Sequence, residues 1–292
     1  MTFVLNRKLV ITQGGWAWAW GIALRYIITA LLMSPLAFLP GVYPLAIELR
    51  AHFKVWMMCS FIGFGLFGVG ITWAASSGPA WLIAGAWQLT VIAGPLLAPL
   101  IYKDHRSRLS FGSLFLGLMI VLGVLIMEYH QSSHALRLSD GLPLAAVVMA
   151  ACAYPVGNRL LLLHLERTGA KITTAQRVFG MTLASTPLWI ILAGLAWTVA
   201  GPPTPAEILL AGGVALSSGV IGTILFFAAT RLVHHDRFGL AAVEAMQCGE
   251  VIFSILFGSI FLSEAWPSGL GALGVALVVI GIIAFNVMGT RR

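Results

Sequence analysis

Charge is what this sequence has least of. Only 9% of its 292 residues are Asp, Glu, Lys or Arg, against 59% hydrophobic. A soluble domain is about a quarter charged and cannot hide so much apolar surface, so an aqueous fold is excluded and lipid is the solvent. Cysteine is scarce too. Cys59, Cys152 and Cys248 stand far apart, each inside an apolar run, which argues against a disulfide or metal framework and for buried free thiols. Long polar connections are missing, so no soluble domain is expected, and the alternating strands of about ten residues that build a membrane barrel are not seen. A nucleotide motif is also lacking. The stretch GFGLFGVG (63–70) has four glycines, but no strand precedes it and it lies in mid-membrane. It reads as close helix packing or local unwinding beside a site, and ALSSGVIG (215–222) reads the same way.

What is present is a series of apolar runs. A membrane helix needs about 20 such residues, and nine segments qualify: Trp16–Leu39, Val55–Ala75, Trp81–Tyr102, Phe111–Met127, Gly141–Leu163, Val178–Ala200, Ile208–Thr230, Gly239–Leu262 and Ser268–Met288. The first is too long for a cleaved signal peptide and has no small-residue cleavage site. The net charge of +7 is not a nucleic-acid footprint, because the basic residues are not contiguous. They recur in alternate loops: Arg50 and Lys54; Lys103, Arg106 and Arg108; Arg167 and Lys171; Arg231 and Arg237; Arg291 and Arg292. The loops SSGPA, GPPTPAE and SEAWP have no Lys or Arg, and residues 128–140 carry only Arg137. This pattern puts the basic loops and the C-terminus in the cytoplasm.

The chain also repeats itself. Shifted by 152 residues, Asn6-Arg7 falls on Asn158-Arg159, Arg25 on Arg177, Pro35 on Pro187 and Gly70 on Gly222. Further on the shift becomes 159, where Ala86-Trp87-Gln88 meets Ala245-Met246-Gln247, and 158 where Gly123 meets Gly281. An ordered series with one small insertion indicates two homologous halves, 1–138 and 139–292. Asn158-Arg159 reads as the end of a helix that begins near Gly141, so a helix is expected before Asn6, where five residues stand. The expected fold is all-α and polytopic, an inverted five-plus-five repeat with most of the first helix missing and nine full transmembrane helices. A late-assigned start codon is favoured over a truncated gene as the reason. An odd number of helices per half inverts the second half, a common transporter plan.

SILFGSIFLSEAWPSGLGALGVALVVIGI resembles the last two helices of the drug/metabolite transporter superfamily in its ten-helix EamA-type branch. Glu264 follows the penultimate helix, and Gly271, Gly274 and Gly281 space the last. TFVLNR…GGWAWAWGIALRY and VEAMQCGEVIFSILFG resemble the multidrug resistance efflux transporter family, over essentially the whole chain. The resemblance implies ten helices, both ends in the cytoplasm, a central cavity between the halves, and export of small molecules across a bacterial cytoplasmic (inner) membrane. The absent first helix is a departure from that pattern.

Charged groups inside a span are functional candidates by default. Glu244 and Glu250 are six residues apart, so on a helix they lie about 120° and roughly 9 Å apart, with Gln247 between them. They make one polar wedge on an apolar helix, and a carboxylate held there can load a proton on one side and release it on the other. Glu250 and Glu244 are therefore the proton-coupling candidates. The repeat mate AWQLTVIAG lacks carboxylates but carries Trp87 and Gln88, with Trp81 before them. Gln247, Gln88, Trp87 and Trp81 are the substrate-cavity candidates, and aromatic faces suit planar or cationic solutes. Arg25 and Arg177 are candidates for a gate. Glu264, Asn6-Arg7 and Asn158-Arg159 read as helix-end structure. His234-His235-Asp236 reads as a solvated loop without supporting metal ligands.

The function these residues point to is a secondary active exporter of small organic solutes, driven by protons through alternating access. Amino acids or related metabolites are the competing substrate class. A channel would need a ring of like charges or a filter loop, and a membrane enzyme a fuller catalytic set. No catalytic residue, metal or cofactor is expected. The expected partners are the lipid bilayer, a small-molecule substrate and protons, with the chain a monomer or homodimer. Topology tests this reading: tags at Arg106 and after Arg292 should be cytoplasmic and a tag at Ser133 external. An external C-terminus would overturn the inverted repeat.

Overall fold

The computed structural model describes residues 1–38, 43–103, 111–131, 138–222, 225, 229, 246 and 248–290. Among them the regular structure is entirely helical. Seven helical stretches are long and apolar enough to cross a membrane, from Ala17–Leu36 to Pro205–Gly222, and two shorter apolar helices follow, Cys248–Leu262 and Gly269–Phe285. The chain is an all-α, multi-pass membrane protein.

Local sequence explains where these helices start and stop. Helix α1 (Thr2–Gln13) ends at Gly14, φ 66°, a left-handed conformation that favours glycine. After it come α2 (Ala17–Met33), α3 (Tyr43–Ala51) and α4 (Phe53–Ser60). A π-helical segment, Phe61–Leu66, leads into α5 (Phe67–Ala74). Next are α6 (Ala80–Trp87), α7 (Thr90–Ile101), α8 (Phe111–Gln131) and α9 (Leu138–Thr168). Helix α10 (Thr174–Ala200) opens on a capping box in which the Thr173 hydroxyl accepts from Gln176 N–H, 3.3 Å, and Gln176 Oε1 accepts from Thr173 N–H, 2.8 Å. Thr204 and Glu207 do the same for α11 (Pro205–Val214), whose first residue is a proline with no N–H to leave unpaired. A second π-helical segment, Ala215–Gly222, continues α11, and α12 (Cys248–Leu262) and α13 (Gly269–Thr290) close the chain.

Two sequence expectations need correction. Asn6-Arg7 does not end a helix, because α1 runs on to Gln13 and Asn6 is buried. Nor does Asn158-Arg159 end one. Helix α9 continues to Thr168, with Leu161 and Leu165 packed one turn apart in the core. Asn158-Arg159 is tolerated in mid-helix because both side chains find partners there: Arg159 donates to Gly94 O, and Asn158 Nδ2 to Tyr154 O at 2.9 Å.

Helix α2 packs on α10, α8 on α13, and α6 on α12. Helix α9 packs on α4, α5 and α7, while α1 packs on α11, α12 and α6. Glycine sets the closest approaches. A Cβ at Gly157 on α9 would collide with Gly63 N and Cys59 O of the π segment and α4, and one at Gly70 would stand 2.6 Å from Ala146 O. Between α8 and α13, a Cβ at Gly123 would lie 2.8 Å from Gly274 O, and one at Gly274 2.7 Å from Gly123 O. These are backbone-to-backbone contacts, the small-residue packing that lipid-embedded helices use. Aromatic packing adds to them: Tyr26 on α2 stacks on Trp189 of α10 with centroids 4.4 Å apart and planes 1° from parallel.

The crossing predicts a contrast. Gly157→Ala should lower the melting temperature of the purified protein, because overpacking against immovable backbone costs about 1–3 kcal/mol. Gly194→Ala, whose Cβ meets nothing within 4 Å, should leave it unchanged or raise it through helix propensity, a gain of up to about 1 kcal/mol. Equal melting temperatures for the two variants would contradict the close crossing.

Candidate functional site

Helices α6 and α7 are two halves of one span, broken at Gln88 and Leu89. The break stays bonded through short-range contacts, Gln88 N–H to Gly85 O at 3.1 Å and Leu89 N–H to Ala86 O at 3.1 Å. Gln88 is fully buried at 0% exposure. Its Nε2 donates to Ala84 O at 3.2 Å and to Glu250 Oε2 at 3.4 Å, reaching across 162 residues to the first turn of α12. Its Oε1 has no hydrogen-bond partner among the described residues. Glu250 is accessible to solvent although protein surrounds it on every side.

Tyr154 on α9 shows the same combination, 38% exposed yet deep within the protein. It sits just before Pro155, and its ring lies 5.6 Å from Trp87 and 5.0 Å from Phe67, with Trp87 and Phe67 4.9 Å apart. Trp87, 9% exposed, thus shows one edge to the space behind Gln88. Trp81 is 3% exposed and belongs to the packed core with Phe3 and Val4, so its ring meets protein. Glu244 and Gln247 lie outside the described residues, as does His234-His235-Asp236.

The two arginines converge on this region. Arg25 is buried on α2, with Nη2 3.4 Å from Ser218 Oγ in the second π segment, its guanidinium 5.5 Å from the Tyr26 ring centroid, and Nη1 without a hydrogen-bond partner among the described residues. Arg177, in the first turn of α10, likewise has an Nε without one. Arg25, Arg177 and Glu250 all act electrostatically on Tyr154, and the amine of Met1 lies within electrostatic reach of Glu250. Tyr154 was not among the sequence candidates. Its signal is an aromatic residue followed by proline in the middle of an apolar run.

A second constellation closes one end of the bundle. Glu264, in the connection after α12, accepts Ala80 N–H on both carboxylate oxygens at 3.0 Å and pairs with Arg7 Nε at 3.7 Å. Arg7 Nη1 also donates to Ala75 O at 2.9 Å and Ser76 O at 2.8 Å. The carboxylate therefore ties α1, the end of α5, the start of α6 and the end of α12 together, at a helix N-terminus where negative charge is favoured. Ser263, φ 55°, makes the turn that folds Glu264 back, with Glu264 N–H donating to Gly258 O at 3.2 Å.

Comparison with known proteins adds the following. The EmrE family model, described as "Putative multidrug resistance efflux transporter", matches residues 1–291. The uncharacterized protein YjlA of Bacillus subtilis (strain 168) is 40% identical over 296 residues, covering 97% of this chain and 89% of the relative. An uncharacterized 42.1 kDa protein from Shouchella clausii is 35% identical over 257 residues, covering 85% of this chain and 66% of the relative. One crystal structure, described only as that of a protein, superposes with a TM-score of 0.61 over 99% of this chain and 95% of its own, at 16% identity. It shares the fold.

Glu264 yields a pH prediction. Burial pushes its carboxyl above the ordinary value, against the opposing pull of Ala80 N–H and Arg7. A raised acid favours the neutral form in the folded state, so this stabilising contribution is present at low pH and fades as pH rises through the carboxylate range. The wild-type melting temperature should fall over that interval. Glu264→Gln should flatten it, and Arg7→Ala should move it to higher pH. Superimposable profiles for wild type and Glu264→Gln would show that Glu264 does not titrate with folding.

Proposed function

Because the chain belongs to the multidrug resistance efflux transporter family, we propose that it is a secondary active exporter of small organic solutes, exchanging them for protons through Glu250. The observation that carries this reading is the Gln88–Glu250 contact, made across facing helices next to the Trp87–Tyr154 ring pair. A buried amide holds the carboxylate beside aromatic faces, which bind planar or cationic solutes. Proton and solute then compete for one carboxylate: the protonated acid releases a cation and the ionised acid attracts it. Glu244 and Gln247, which lie outside the described residues, share this role by their place in the sequence just before Glu250. Arg25, in the middle of α2, and Arg177, in the first turn of α10, gate the two approaches, since each acts on Tyr154.

Alternating access follows from two inverted halves, 1–138 and 139–292. Helix pairing supports that division. The packing of α4, its π segment and α5 on α9 has its counterpart in α11 on α1, where a Cβ at Gly213 would meet Leu5 Cδ1 at 3.4 Å. The π segments Phe61–Leu66 and Ala215–Gly222 fall in matching stretches of the two halves, and such segments often mark functional positions. Relatives in two bacteria and the loop charges support a bacterial cytoplasmic membrane, with the C-terminus in the cytoplasm.

Glu250→Gln tests the mechanism in proteoliposomes with an imposed pH gradient. It keeps a side chain that can bond Gln88 but cannot titrate. Proton-driven export of a cationic dye should fall about tenfold or more, while dye-for-dye exchange survives. Glu250→Asp should retain coupling with a shifted pH optimum, and Glu244→Gln should do less harm. Normal export by Glu250→Gln with an unaltered pH profile would remove Glu250 from the mechanism.

A further inference from the structure

Where α3 gives way to α4, three side chains able to ligate a metal meet. Glu48 is buried near the end of α3, 7% exposed. His52 stands one turn later at the break before α4, with φ −127°. His164 reaches them from the last turns of α9, its Nε2 2.8 Å from Glu48 Oε1. The two imidazole rings are 4.7 Å apart at 75°. One ligand atom from each of the three residues lies within 4.8 Å of the others. Among the described residues, the nitrogens of His52 have no hydrogen-bond partner.

We propose that Glu48, His52 and His164 form a binding site for a divalent transition metal of the zinc class. Zinc takes imidazole nitrogen and carboxylate oxygen at about 2.0–2.2 Å, which in a tetrahedron sets neighbouring ligand atoms roughly 3.4 Å apart. The present spacing brackets that distance, so small side-chain shifts admit the ion. The ion displaces the proton that Glu48 and His164 share and recruits the idle His52, leaving a fourth position for water. Two imidazoles and one carboxylate select zinc, nickel or copper over magnesium or calcium, which need a shell of about six oxygens. Arg50 and Lys54 on the same stretch are exposed, so solvent screens their charge. The ligands come from α3, the α3–α4 junction and α9, so a bound ion pins these elements together and restrains the end of the bundle where they meet.

The test is a thermal-shift titration of the untagged full chain in detergent, so that no polyhistidine competes. Zinc at micromolar concentration should raise the melting temperature by about 3 °C or more, while magnesium should not. Cobalt should give the visible absorption of a tetrahedral site. His52→Ala should melt like the metal-free wild type and lose both responses, since among the described residues its ring has no hydrogen-bond partner to lose. His52→Cys should keep the zinc response through a thiolate ligand. No zinc shift in the wild type, or an equal shift in His52→Ala, overturns the site, and neither result bears on Glu250.

Discussion

In hydrocarbon every main-chain N–H and C=O must find its partner within the protein, and this one requirement organises the whole molecule. It makes the chain helical, and it decides where a helix can loosen. The break at Gln88 and Leu89 survives because short-range bonds hold its amides and because it is enclosed by protein. Helices α7 and α9 each carry internal prolines, and Arg159 of α9 donates to Gly94 O beside Pro95 of α7. Irregular backbone therefore gathers around the interior space, and polar side chains gather with it. Gln88, Tyr154 and Glu250 are found together for that reason.

The ends of the bundle are organised differently. Arg7 and Glu264 meet beside Ala75 and Ala80, whereas Glu48 and His164 meet near the start of the same path through α3, α4 and α5. Glu48 and Ala75 are 27 residues apart, about 40 Å along a helix, so the two contacts lie toward opposite ends. Each ties together helices that are distant in sequence.

The spans were legible because lipid exposure leaves a composition that few other folds share. Glu250 and Gln88 were legible one by one, as polar groups in apolar runs. Their contact was not, since it depends on how two helices 162 residues apart face each other. Asn6-Arg7 and Asn158-Arg159 were misread as helix exits, because a polar pair in an apolar run signals an exit unless a distant carbonyl or carboxylate takes it up. Tyr154 escaped notice as one aromatic residue among many. Glu48 and His52 looked like part of a basic loop, and only the return of α9 brings His164 against them.

One consequence lies in the seam between α8 and α13. At Gly123 and Gly274 two backbones approach closely, with the Val278 and Met127 side chains packed beside them. Sliding one helix along the other would drive a carbonyl or a side chain into backbone, so in an interior packed this densely α8 and α13 shift as one piece.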